Sequence, residues 1–90
     1  MADIQLKRTH AFAREEAKRR IEPSINKTAE SFGFRFQWHG DVCNFEGQAR
    51  GYIVVKDNTV EMAVNLGFVA RLLKSDIERA IIEEIDQALA

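Results

Sequence analysis

The chain has 90 residues, 46% hydrophobic and 30% charged, with 13 Lys+Arg set against 14 Asp+Glu. These numbers describe one domain, residues 1–90, too short to enclose a large pocket once its own core is filled. It also lacks the net positive field on which non-specific nucleic-acid binding relies. One proline and five glycines exclude a linker-rich architecture, and the single cysteine excludes an intramolecular disulfide. The opening stretch MADIQLKRTHAFAREEAKRR is charged throughout and has no apolar run of signal-peptide type. No segment approaches the roughly 18–20 apolar residues of a spanning helix, so the cytoplasm is the expected compartment.

In chain order, Ile4 and Leu6 alternate with Gln5 and Lys7, a period of two that predicts a strand over Asp3 to Arg8. From Phe12 to Phe32 the residues Ala13, Ala17, Ile21, Ile25, Ala29 and Phe32 recur every three or four positions, the stripe of an amphipathic helix. Pro23 interrupts that stretch. It falls on the side opposite the stripe, which predicts a kinked but continuous helix closed by Gly33. Phe34, Phe36 and Trp38 then alternate with polar residues in a strand, Gly40-Asp41 turn the chain, and Val42 to Glu46 returns. Gly47-Gln48 mark the next reversal, GYIVVK from Gly51 reads as a strand, and Asp57-Asn58 turn into another through Val60, Met62 and Val64. Ser75 and Glu78 have capping-box spacing, and Ile77, Ile81, Ile85 and Leu89 form the stripe of a second long helix. The predicted fold class is α+β: an antiparallel sheet of four to five strands with two long helices on one face, in the order β-α-β-β-β-β-α. The other sheet face is left to water or a partner.

Motif-borne chemistry is sparse. There is no GxGxxG, phosphate loop, HExxH or GxSxG, and His10, His39 and Cys43 are the only candidates for a nucleophile, base or transition-metal ligand. His39 and Cys43 straddle a tight turn, and a free cysteine more often serves as a small buried hydrophobe than as a catalyst. Nothing in the spacing of Asp41, Glu46 and Glu61 forces two carboxylates together. The expectation is therefore a non-catalytic protein with no cofactor and no metal. Residues 1–27 carry seven Lys+Arg and four Asp+Glu, whereas residues 74–90 carry two and five. Arg14, Lys18, Arg19, Arg20 and Lys27 make the first helix locally basic. Glu15, Glu16 and Glu22 dilute it, so a nucleic-acid partner is disfavoured, and the opposite signs of the two helices permit self-association. The run LGFVARLL, residues 66–73, holds one charge, Arg71, in a connection where polar residues are the rule. It belongs either to the core, the more common outcome for such a run, or to a contact surface built on Leu66, Phe68 and Leu72. Phe36, Trp38 and Tyr52 are the candidates to line a shallow site for a hydrophobic ligand between sheet and helix.

KRTH at 7–10, REEA at 14–17, WHGD at 38–41, the glycine at 51, and NLGF followed by LLK and an Ile-rich acidic helix together resemble the polyhydroxyalkanoic acid system proteins. The resemblance runs in the same order from Ile4 to Leu89. Ala13 departs from it, standing where a Ser or Thr cap is expected before REEA. The resemblance implies an accessory protein of bacterial polyester storage granules, in contact with the granule surface or a granule-associated protein, and it assigns no catalytic residue. The other readings are a small hydrophobic-ligand-binding domain and a regulator touching nucleic acid through the basic first helix.

Overall fold

The computed structural model describes residues 2–90. Strand β1 (Ile4–Thr9) is followed by helix α1 (Arg14–Phe32) and four consecutive strands, β2 (Phe34–His39), β3 (Val42–Gly47), β4 (Ala49–Val55) and β5 (Thr59–Leu66). A short helix α2 (Phe68–Arg71) leads into α3 (Lys74–Ala88). The five strands form one antiparallel sheet in the order β1-β5-β4-β3-β2. Strands β1 and β2 therefore lie at opposite edges, and α1, which joins them, must carry the chain from one edge of the sheet to the other.

Register separates the two faces. Ile4, Leu6, Phe34, Cys43, Phe45, Ile53, Val55, Val60, Met62, Val64 and Leu66 share the helix-covered face with Ala17, Ile21 and Ile25 of α1 and Ile77, Ile81 and Ile85 of α3. The opposite face carries Gln5, Ala63, Tyr52, Asn44 and Gln37 in a single row across all five strands. This is the half-solvated arrangement that alternating strands dictate.

Helix α1 runs without a break through the exposed Pro23. It begins at Arg14, two residues later than the stripe predicts, because Phe12 is held outside it: the Phe12 N–H donates to His10 Nδ1 at 3.1 Å. His10 Nε2 lies 3.0 Å from the Lys56 carbonyl, so the imidazole carries its proton on Nε2 and ties the β1–α1 junction to the β4–β5 turn. Ala13 occupies the N-cap, exposed and without a side-chain capping bond, rather than the buried stripe.

The capping box does not form. Helix α3 starts at Lys74 with Leu73 at its cap, and Ser75 lies inside the first turn. The cause is α2: Leu73 N–H donates to Ala70 O at 2.9 Å and Leu73 O accepts from Ile77 N–H at 2.9 Å, so the chain enters α3 from an existing turn and no side chain is called on to start it.

Candidate contact surface

The segment 66–73 divides between core and surface. Leu66 ends β5 with its side chain buried in the core, and Ala70 is buried against it, whereas Phe68 is 81%, Leu72 76%, Val69 62% and Leu73 49% exposed. Leu66 is thus a correction to the expected contact set: it faces the helix-covered side of the sheet opposite Ala49. Phe68 and Leu72 stand in solvent as the contact reading requires, and Val69 and Leu73 join them. Helical geometry explains the division. At about 100° per residue, a four-residue helix lying on a core through one side chain, Ala70, must send the residues on either side outward.

The main chain under this patch is fixed. Leu66 N–H donates to Asp3 Oδ2 at 2.8 Å, Gly67 N–H to Gln48 O at 2.8 Å, and Arg71 N–H to Gly67 O at 2.8 Å. The Arg71 guanidinium donates to Leu66 O at 3.3 Å and lies 3.8 Å from Asp3 Oδ2. Four large apolar side chains therefore project from an anchored segment. Full burial of such a side chain is worth about 1.5–3 kcal/mol, so the patch offers several kcal/mol of apolar contact to any surface that covers it.

The other sequence candidates do not converge. Phe36 and Trp38 lie on the helix-covered face, opposite Phe45 and Cys43, whereas Tyr52 lies on the open face between Asn44 and Ala63. No site is shared by the three, because Phe36 and Tyr52 occupy positions of opposite phase in the pleat. The gap between α1, α3 and the sheet, lined by Ile25, Phe34, Phe45, Met62, Ile81 and Ile85 among others, amounts to about 20 Å³, room for a water rather than a ligand.

His39 and Cys43 are likewise separated by the sheet. His39 is exposed on the open face, and Cys43 is wholly buried on the other, where burial pushes its thiol up to about 12. A thiol so far from ionisation is no nucleophile at neutral pH. Each of the three carboxylates meets a cation instead of another carboxylate. Asp41 pairs with Arg14 at 2.6 Å, Glu46 with Arg35 at 3.5 Å and Glu61 with Lys56 at 2.8 Å. The hydrogen bond from Arg14 holds Asp41 below the usual carboxylate range, and the bond from Lys56 does the same for Glu61. Among the described residues no cluster of His, Cys, Asp and Glu could hold a metal ion.

All five cations of α1 are engaged: Arg14 with Asp41 and Asp57, Lys18 with Asp41 and Glu15, Arg19 and Arg20 with Glu16, and Lys27 with Glu84 of α3. The basic helix face is neutralised by its own protein, and among the described residues no helix is long and apolar enough to cross a membrane.

With an α+β sheet covered on one face and an anchored apolar patch at the end of β5, residues 4–89 match the family described as "Putative polyhydroxyalkanoic acid system protein". The chain belongs to that family. The match spans β1 to the last helix and so includes the patch. No curated protein and no solved structure matches the chain. Sequence reasoning missed Val69 and Leu73 because a run without alternation does not reveal which of its residues one short turn will bury.

Proposed function

We propose that this protein is a non-catalytic accessory component of polyhydroxyalkanoate biology that acts by apolar contact with the polyester granule surface or with a granule-associated protein. The observation that carries the reading is the exposure of Phe68, Val69, Leu72 and Leu73 on a hydrogen-bonded segment. Family membership supplies the polyester context. An aliphatic polyester presents a water-excluding surface, and removing these side chains from water onto it is favourable in proportion to the area covered.

The test is co-sedimentation with isolated granules, comparing the native chain with a Phe68→Gln/Leu72→Gln variant. Leu66 is left unchanged because it is core. The native protein is expected to pellet and the variant to stay in the supernatant, with unchanged circular dichroism. Equal pelleting of both proteins would remove this segment from the contact, and a native protein that stays in solution would remove direct granule contact altogether.

A further inference from the structure

The two edges of the sheet are not equally protected. In β1 the residues bonded to β5 alternate with Gln5, Lys7 and Thr9, whose main-chain groups point outward. That edge is guarded: Lys7 and Arg8 place two cations on it, and the Lys7 carbonyl already accepts from Arg8 Nη1 at 3.1 Å.

At the other edge, the two-residue turn Gly40-Asp41 makes His39 and Val42 a hydrogen-bonded pair, and the pairs 37–44 and 35–46 follow by alternation. The bond from Val55 N–H to Asp41 O at 2.9 Å fixes the same phase from the far side of β3. The main-chain groups of Phe36 and Trp38 therefore point away from the sheet. Among the described residues no side chain or loop bonds to them. Their aromatic side chains are only partly buried at the rim of the core, and β2 carries a single full-time cation, Arg35.

We propose that two copies of this chain associate through their β2 edges, antiparallel about a two-fold axis perpendicular to the sheet and centred on Phe36, joining two five-stranded sheets into one. A two-fold in that direction keeps the helix-covered faces on the same side, so residues directly opposite share the same phase. Centred on Phe36, it pairs Phe36 with Phe36 of the partner subunit and Phe34 with Trp38 of the partner subunit on the helix-covered face, extending the aromatic row across the joint. On the open face Arg35 meets Gln37 of the partner subunit, so the one charge of the strand faces a neutral amide. The strand is self-complementary in this register: aromatic meets aromatic, and no like charges are opposed. The pairing does not depend on the granule reading.

The register makes Gln37 the discriminating position. It is exposed on the open face opposite the neutral Asn44, so replacing it leaves the sheet of each copy intact. Gln37→Glu puts a carboxylate opposite Arg35 at two symmetric places, and Gln37→Lys puts an ammonium there. Sedimentation equilibrium from about 10 μM to about 1 mM reads the outcome. The native chain is expected to dimerise, with the Glu variant tightening and the Lys variant weakening the dimer, each by roughly two- to thirty-fold in Kd. Emission from Trp38, the only tryptophan, should change with the dimer fraction. A dimer that neither substitution moves, or that Gln37→Glu weakens, overturns the proposal. So does a native chain that stays monomeric throughout, which would leave the edge to a strand of another protein.

Discussion

Gly51 lies in β4 with φ at 145°, directly opposite Val64, and a β-carbon there would fall well inside contact distance of the Ala63 carbonyl oxygen. Backbone, not a flexible side chain, occupies the space, so neither strand can yield cheaply. Gly51→Ala is expected to lower stability by about 3 kcal/mol or more, read as a fall in the urea midpoint. Nothing in the sequence announced this: Gly51 read as the start of a strand, and only the approach of β5 gives it a steric role. Asp41 was legible as a turn residue but not as the partner of Arg14, 2.6 Å away and on another element. Its carboxyl is held below the ordinary value of 3.8, first by that hydrogen bond. The folded form thus binds this proton less readily than the unfolded form. The stabilisation is full above about pH 4 and is lost as the pH falls through the folded-state value. A carbon-detected NMR titration should show Asp41 ionising below 3.8 in the native protein and moving back toward it in Arg14→Gln.

At the level of elements, the long helices and the strands were readable because period is local: a stripe of three- and four-residue steps or an alternation of two survives in any tertiary context. Helix boundaries were less so. Both long helices start without a side-chain cap, α1 behind Ala13 and α3 behind Leu73. Ala13 has φ of −62° and ψ of 153°, the extended conformation of a capping residue, and it is exposed. Ala13→Ser should therefore add about 0.5–2 kcal/mol by satisfying a free N–H of the first turn, measured as a higher urea midpoint with an unchanged slope. Ser75 cannot be used in the same way, since the turn of α2 has already started α3 when the chain reaches it. A capping box is a local signal, and a neighbouring turn overrides it.

For the whole molecule, the division of residues 66–73 makes a contrast between two substitutions in one segment. Leu66→Gln removes a core side chain and buries an amide. It should cost roughly 2–5 kcal/mol in chemical denaturation. Phe68→Gln should leave stability within about 0.5 kcal/mol, since its ring is already in water. Equal costs at the two positions would mean that Phe68 is packed and the contact surface does not exist. The class of fold, the order of elements and the two-faced sheet are legible along the chain, because each follows from hydrophobic period and turn chemistry within a few residues. The chain also carries the family resemblance along its length. That β1 and β2 are the edges and that Phe36 and Tyr52 lie on opposite faces emerges from the assembled sheet alone. So do the separation of His39 from Cys43 and the pairing of the α1 cations with carboxylates. These depend on which distant segments meet. Strand register and helix docking are set by the packing of the whole core, and no window along the chain contains them.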